Sequence, residues 1–131
     1  MEVAYVGLGS NLAEPQRQLA SALRAIASIP STRLIAQSSF YATAPWGRRD
    51  QPDFVNAVAK LETDLSARSL LAELLAIEQR AGRQRDGDRW GPRILDLDIL
   101  VYGRSRIDEP ALRVPHPHLH ERAFVLVPLA A

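Results

Sequence analysis

Residues 89–100 read RWGPRILDLDIL, a polar loop followed by an apolar stretch that contains two aspartates. The apolar and β-branched residues around Asp96 and Asp98 predict a strand over residues 94–102. Because side chains alternate faces along a strand, both carboxylates would point to the same side, about 6.6 Å apart along the backbone. Two like charges on a half-buried surface repel each other and resist desolvation. The pattern therefore predicts a positive group between them.

This aspartate pair has two interpretations. As ordinary edge-strand charges, Asp96 and Asp98 would point into solvent or pair with arginine. As a cation site they would bind hard divalent ions, because Mg²⁺ takes carboxylates together with substrate phosphates. Two ions about 3.5–4 Å apart would fit the spacing. The stretch alone leaves both interpretations open.

The composition is that of one ordinary globular domain. The chain has 131 residues, of which 47% are hydrophobic and 24% charged. It contains no cysteine, which excludes disulfides, thiolate catalysis and a cysteine-ligated zinc site. The N-terminus has no signal-peptide pattern, and no stretch approaches the ~20 apolar residues of a membrane span. We therefore expect a cytoplasmic protein without a membrane partner.

Arginine is concentrated in one region of the chain. The net charge is only +1, which gives no general reason to expect nucleic acid as a partner. Five arginines nevertheless fall within a short segment: Arg80, Arg83, Arg85, Arg89 and Arg93. A genomic preference for arginine codons explains the overall bias but not this clustering. Because the guanidinium fork suits phosphate oxygens, the cluster predicts a phosphate-rich ligand near residues 80–93.

The predicted elements follow the order β-α-β-β-α-β, with a tail of turns and a final apolar run. The predicted strands cover residues 2–9, 32–45, 54–64 and 94–102, and the predicted helices cover residues 14–29 and 67–82. Pro30 closes the first helix, and Ser66 caps the second. This order is typical of an α+β, ferredoxin-like fold, with an antiparallel sheet and both helices packed on one face.

Three local patterns carry more specific expectations. The segment GLGSN (7–11) matches neither a dinucleotide fingerprint nor a Walker sequence, so we interpret its glycines as a tight strand-to-helix turn. Asn11 and Glu14 have the spacing of a capping box. In the second helix, five apolar residues are predicted to face the core: Leu70, Leu71, Leu74, Leu75 and Ile77.

Aromatic, amide and histidine residues form two further candidates. Phe54 and Asn56 share a face, either as a core ring with a peripheral amide or as a stacking ring beside an amide that pairs with a heterocycle. In VPHPHLHERAFVLVPL (114–129), His116 lies between prolines and suits a phosphate. Arg122 and Phe124 would share a face in extended chain. The prolines disfavour a zinc site built from the three histidines of this segment.

Several segments together resemble one family, the 6-hydroxymethyl-7,8-dihydropterin pyrophosphokinases of folate biosynthesis. They are GLGSNL (7–12), SSFYATAPWG (38–47), QPDFVNA (51–57), GRQRDGDRWGPRILDLDIL (82–100) and VPHPHLHERAFVLVPL (114–129). The resemblance covers essentially the whole chain and implies a single pterin pyrophosphokinase domain over residues 1–131, with a shorter C-terminal tail than is usual. It implies the ferredoxin-like fold and transfer of the terminal diphosphate of ATP to the pterin hydroxymethyl group, with release of AMP.

The resemblance also implies roles for individual residues. Asp96 and Asp98 would hold two Mg²⁺ ions that bridge the triphosphate and would be catalytic, together with Arg83 and Arg93. The residues implied to contact ATP are Arg83, Arg93, Ile99, His116 and Arg122. Those implied to contact the pterin are Thr43, Ala44, Trp46, Phe54, Asn56, Trp90 and Phe124, with the two phenylalanines on either side of the ring. The family pattern differs at Ala44, Trp46 and Asp86, which lie in loops rather than beside the aspartates.

Residues 82–93 contain three glycines and are expected to form a lid that becomes ordered over bound substrates. Two other functions stay open. A ferredoxin-like domain can bind single-stranded RNA, but the aromatic-rich strand pattern of that module is absent here. A catalytically silent regulatory domain would not need the paired aspartates. We expect a monomer that binds small-molecule substrates and no nucleic acid.

Overall fold

The computed structural model describes residues 1–10, 14–43, 54–83, 95–110 and 112–116. Within these ranges the chain forms seven strands and two helices. They are β1 (Glu2–Ser10), α1 (Pro15–Ala27), β2 (Thr32–Gln37), β3 (Tyr41–Thr43), β4 (Phe54–Thr63), α2 (Ala67–Arg83), β5 (Leu95–Tyr102), β6 (Ile107–Glu109) and β7 (Leu112–Val114).

The main sheet has the strand order β2-β4-β1-β5, and every neighbouring pair in it is antiparallel. Strand β3 pairs with the beginning of β4, so that β2 and β3 lie along the same side of that strand. Helix α1 connects β1 to β2, and α2 connects β4 to β5. This order confirms the predicted α+β, ferredoxin-like arrangement.

Alternation along β1 divides the sheet into two faces. Ala4, Val6 and Leu8 are fully buried in the main core. The same core contains buried residues from both helices: Leu19, Ala22, Leu23, Ile26, Ala67, Leu70, Leu74 and Ile77. Both helices therefore cover one side of the sheet, here called the helix face. The opposite side, the second face, receives Gly7 and Gly9 from β1.

The two helices begin differently. Helix α1 starts at Pro15, with Glu14 as its N-cap in the left-handed region and without a side-chain cap. The predicted capping box, which would place Glu14 inside the first turn, is therefore wrong: proline at the first helical position starts the helix later. The Ser66 cap is confirmed, because its hydroxyl oxygen accepts the Ser69 N–H at 3.1 Å.

The predicted second strand is divided into β2 and β3. At the division, the Ser38 N–H donates to the Val58 carbonyl at 2.8 Å, and the Ser38 hydroxyl accepts the Val58 N–H at 2.9 Å. A side-chain oxygen thus takes the place of a backbone partner, which is a known way for serine to interrupt regular structure. In α2, Leu75 is 44% exposed, so its predicted inward position is wrong.

The hairpin formed by β6 and β7 was not predicted from the sequence. Each of its strands has only three residues, too few for a clear alternation. An ion pair between Glu109 and Arg68 joins it to the first turn of α2. The His116 N–H donates to the Leu100 carbonyl at 2.8 Å, so the segment after β7 lies along β5. Within the described ranges, neither helix has the length and apolar character needed to cross a bilayer.

Adjacent leucines of α2 provide a test of this packing. Leu74 is fully buried, whereas Leu75 is 44% exposed. Leu74→Ala should lower the free energy of unfolding by about 2–5 kcal/mol, because a cavity remains in the core. Leu75→Ala should lower it by about 1 kcal/mol or less. Urea unfolding of both variants measures this, and equal losses would contradict the described orientation of the helix.

Candidate active site

Asp96 and Asp98 lie on β5, and the strand predicted for them is confirmed. Their neighbours Leu95, Leu97 and Ile99 are buried in the main core. Because side chains alternate along the strand, both carboxylates lie on the second face, as the spacing predicts. Asp96 is exposed and Asp98 partly buried. The pair is therefore accessible from the side of the sheet that the helices do not cover.

Two glycines of β1 lie directly beside these aspartates. Gly9 pairs with Asp96 on one side and with Asn56 of β4 on the other, and Gly7 pairs with Asp98 and with Val58 of β4. Since neighbouring strands lie about 4.8 Å apart, the amide and the carboxylate strands are separated by roughly 10 Å, with no side chain between them. The interpretation of these glycines as a turn is wrong, because β1 continues to Ser10.

Glycine within a strand weakens it and often marks a place where a ligand approaches the backbone closely. Gly7 and Gly9 are both buried, and they interrupt what would otherwise be a continuous row of side chains on the second face. These two positions without side chains, here called the glycine gap, are bordered by Asn56 and Val58 on β4 and by the aspartates on β5.

Asn56 borders the glycine gap from the side of β4. It is 5% exposed, and its Nδ2 atom donates to the Tyr41 carbonyl of β3 at 3.4 Å. This hydrogen bond fixes the orientation of the Asn56 amide group. Two residues further along the same ladder, Thr43 lies opposite Phe54. The backbones of three predicted pterin residues therefore lie at the same end of the sheet as Asp96.

A pocket of about 270 Å³ lies beside Asp98. Its lining combines the apolar side chains of Leu71 and Leu112 with Ile99 and His116. The structure thus brings together three residues that were assigned to the nucleotide and metal sites, namely Asp98, Ile99 and His116. Apolar walls with a few polar groups at one end are typical of a site for a small ring compound.

A third carboxylate, missed by the sequence analysis, reaches β5 from helix α2. The Oε2 atom of Glu78 accepts the backbone N–H of Leu97 at 2.7 Å, between the two aspartates in the chain. Burial raises the pKa of Glu78 above its ordinary value, the Leu97 N–H lowers it, and the negative charges of Asp96 and Asp98 raise it further. The net effect is a raised pKa.

The sequence did contain a signal for Glu78. It follows Leu71 and Leu74 at intervals of three and four residues, so it lies on the inward side of the amphipathic helix. A charged residue in that position needs a partner, because burial of an unpaired charge is costly. Which partner it finds depends on tertiary structure, since Leu97 is nineteen residues away.

Part of the predicted site falls outside the described residues. These residues are Ala44, Trp46, Trp90, Arg93, Arg122 and Phe124, together with residues 84–93 of the predicted lid. Thr43, Phe54 and Arg83 are described only by their backbones, with Arg83 as the last residue of α2.

The described side chains do not form a complete metal-binding shell by themselves. In the ranges given above, no cluster of three or more histidine or acidic side chains is arranged to hold an ion. Two carboxylates on one accessible face nevertheless fit Mg²⁺, which is usually bound by one or two carboxylates together with water and substrate phosphates. The donor set suits an ion that arrives with a phosphate ligand.

The fold and this site define a ferredoxin-like α+β protein with a carboxylate pair on its second sheet face, next to a pocket large enough for a ring compound. Comparison with known families gives a more specific result. The model of the 7,8-dihydro-6-hydroxymethylpterin-pyrophosphokinase family matches residues 5–131. The chain belongs to this family.

Individual relatives agree with this assignment. A Pseudomonas aeruginosa protein is 56% identical over 126 residues, which are 96% of this chain and 77% of the relative. A Haemophilus influenzae protein is 54% identical over 129 residues, covering 98% of this chain and 80% of the relative. One from Pseudomonas putida is 50% identical over 117 residues, covering 89% and 96%. Each is named 2-amino-4-hydroxy-6-hydroxymethyldihydropteridine pyrophosphokinase.

The raised pKa of Glu78 predicts a specific pH dependence of stability in the metal-free protein. The folded state holds this proton more tightly than the unfolded chain, so the wild type loses stability as the pH rises from about 4.5 through the folded-state pKa. Glu78→Gln does not titrate. As the pH rises through this range, the wild type should therefore lose stability relative to Glu78→Gln. The free energy of unfolding of the variant minus that of the wild type should increase. Urea unfolding with a chelator at several pH values measures it, and a constant or decreasing difference contradicts the pKa direction.

Proposed function

We propose that this protein catalyses the ATP-dependent transfer of a diphosphate group to the hydroxymethyl group of 6-hydroxymethyl-7,8-dihydropterin, releasing AMP, in folate biosynthesis. The family to which the chain belongs and the names of its relatives support this reaction. The structural observation that carries it is the placement of Asp96 and Asp98 on one face, with Gly9 between Asp96 and Asn56 and Gly7 between Asp98 and Val58. Glycines within a strand and neighbouring carboxylates both lower the stability of the fold, so we interpret them as serving ligand binding.

Asp96 and Asp98 are proposed to hold two Mg²⁺ ions together with the phosphates of ATP. When bound, the ions neutralise the charge that develops on the phosphate oxygens. The two side chains fit this role because both are accessible from the second face and come from a regular strand, which fixes their spacing. Without the ions, their mutual repulsion is tolerated because Asp96 is exposed to solvent.

The pocket beside Asp98 is the proposed nucleotide site. Leu71 and Leu112 provide apolar contacts for the base, and the backbone of Ile99 provides hydrogen-bonding groups. His116 lies at the same pocket and can donate to a phosphate. Arg83, Arg93 and Arg122 are proposed to bind the triphosphate by charge-assisted hydrogen bonds.

The glycine gap is the proposed pterin site. Asn56, held by the Tyr41 carbonyl, presents an amide that can pair with the edge of a heterocycle. Phe54 and Phe124 are proposed to stack on the two sides of the ring. Thr43, Ala44, Trp46 and Trp90 are proposed to complete this site.

With both substrates in these positions, the pterin hydroxyl oxygen attacks the β-phosphorus of ATP. The new bond is an oxygen–phosphorus bond to the pterin, and the bond between the β-phosphorus and the bridging oxygen of the α-phosphate breaks, so that AMP leaves with that oxygen. The proton of the pterin hydroxyl group is released to solvent. Such transfers depend on positioning and charge stabilisation more than on covalent help from the protein. The gap and the pocket provide the positioning on the two sides of the aspartates.

Residues 82–93 are proposed to close as a lid that excludes water during the transfer. We also propose that the protein is a cytoplasmic monomer, because each proposed contact is supplied by a single chain.

Asp98→Asn tests the proposed metal site. The variant should lower kcat by at least about a hundredfold, because bound metal contributes several kcal/mol of charge stabilisation. Asp64→Asn is the matched control: this exposed aspartate follows β4 at the opposite end of that strand from Asn56 and pairs with the N-terminal amine, so its removal should leave kcat unchanged. A steady-state assay at limiting Mg²⁺ measures both. Unchanged activity of Asp98→Asn would contradict the metal site.

Replacement of the proposed stacking rings tests the pterin site. Phe54→Ala and Phe124→Ala should each weaken pterin binding by about tenfold or more, because aromatic stacking contributes ~0.5–1.5 kcal/mol beyond the buried area. Binding of a non-hydrolysable ATP analogue to the same variants should change little, which makes it the internal control. Calorimetric titrations measure both ligands. Wild-type pterin affinity in both variants would show that the rings do not stack on this ligand.

A further inference from the structure

Glu78 occupies an unusual place for a carboxylate. It comes from helix α2, yet its Oε2 atom lies 2.7 Å from the Leu97 nitrogen, in the part of β5 between Asp96 and Asp98. Both aspartates are near enough to raise its pKa. Three acidic groups therefore share one short region of the protein, although each of them would be less costly elsewhere. Because three neighbouring carboxylates repel one another, we infer that the contact of Glu78 with Leu97 has a role in the aspartate site.

Among the strands that the structure describes, β5 lies at the edge of the main sheet, so its outward backbone groups can bond to partners outside the sheet. In an antiparallel pair, backbone groups point alternately toward and away from the partner strand. Since the Leu97 N–H points outward to Glu78, the backbones of Asp96 and Asp98 point inward, to Gly9 and Gly7. The aspartate segment is therefore held by β1 on its inner side and by Glu78 on its outer side.

A second contact on the outer side lies further along the strand. The Leu100 carbonyl accepts the His116 N–H at 2.8 Å. It lies three residues beyond Leu97, on the far side of Asp98. The two contacts thus fix β5 on either side of Asp98, and only the contact made by Glu78 lies between the two aspartates.

We propose that Glu78 is a positioning residue: the hydrogen bond that it accepts from the Leu97 N–H fixes the segment of β5 that presents Asp96 and Asp98 to a divalent cation carried by a nucleotide. This inference rests on the proposed function, because it takes the two aspartates as the cation ligands. Residues that orient metal ligands through hydrogen bonds commonly change metal affinity by 10–100-fold when they are replaced. A charged acceptor also makes a stronger hydrogen bond than a neutral one.

Three variants separate the hydrogen bond from the charge and from general packing. Glu78→Ala removes the acceptor. Glu78→Gln keeps an acceptor oxygen and removes the charge. Glu73→Ala is the matched control, because Glu73 is a partly buried glutamate of the same helix. If Glu78→Ala does not fold, Glu78→Met takes its place, since methionine keeps the length of the side chain but has only a weak acceptor.

Two measurements are made on each variant in the full chain. Amide hydrogen exchange at Leu97, followed by NMR, reports the hydrogen bond directly. Titration with Mn²⁺ and a non-hydrolysable ATP analogue, followed by electron paramagnetic resonance, reports cation affinity without turnover. Glu78→Ala should accelerate exchange at Leu97 and weaken Mn²⁺ binding by about tenfold or more. Glu78→Gln should keep the amide protected and bind Mn²⁺ within about threefold of wild type. Glu73→Ala should match wild type in both measurements.

Wild-type Mn²⁺ affinity in Glu78→Ala, together with faster exchange at Leu97, would overturn the proposal. So would a Glu78→Gln variant that protects the amide but binds Mn²⁺ as weakly as Glu78→Ala, because charge and not position would then be responsible. Asp98→Asn is measured in parallel. If Asp98→Asn binds the Mn²⁺–nucleotide complex as tightly as wild type does, the proposed function itself is wrong. If it binds more weakly, a negative result for the Glu78 variants overturns only the role proposed for Glu78.

Discussion

The register of strand β1 is the constraint on which the rest of this structure depends. β1 pairs with β4 on one side and β5 on the other over most of its length, so it determines which residues of those strands share a face. Because the side-chain period of a strand is two, a shift by one residue would send both aspartates into the main core and the core leucines out of it. The hydrophobic contacts of Ala4, Val6 and Leu8 with the helices prevent that shift. The position of the charged pair is thus set by apolar packing on the opposite side of the sheet.

Much of this could be predicted from the sequence, because local patterns carry it. The alternation in LDLDIL predicted β5 and the common face of its aspartates, and the apolar stripes with the Pro30 and Ser66 signals predicted two helices. The features that failed depend on information outside the local pattern. Gly7 and Gly9 look like turn residues in isolation, and only their pairing with β4 and β5 shows that they are part of a strand. Leu75 is adjacent to Leu74 in the sequence, yet it is 44% exposed, and this difference depends on how the helix packs on the sheet.

The site shows the same division between local and non-local information. Residue types and spacing pointed to the aspartates, to Asn56 and to His116, and the structure places all of them on or beside the glycine gap and its adjoining pocket. Glu78 was missed because its partner is a backbone group, which carries no sequence signal. Contacts of side chains with the outer edge of a strand are difficult to predict for this reason. They need the strand order of the sheet, which is not visible in any single segment.

The irregularity in the pairing of β1 with β5 has a consequence of a different kind. Tyr5 pairs with Val101 and Val6 with Ile99, which leaves Leu100 as an extra residue in β5. Strict alternation would put Tyr102 on the face of the aspartates, yet it lies in the main core, where its hydroxyl donates to the Leu65 carbonyl. Because of the bulge, even-numbered residues of β5 point to the second face near the aspartates and to the main core at Tyr102. A chain without this residue could keep the carboxylates in place or the tyrosine in place, but not both, so the number of residues in β5 matters as much as their identity.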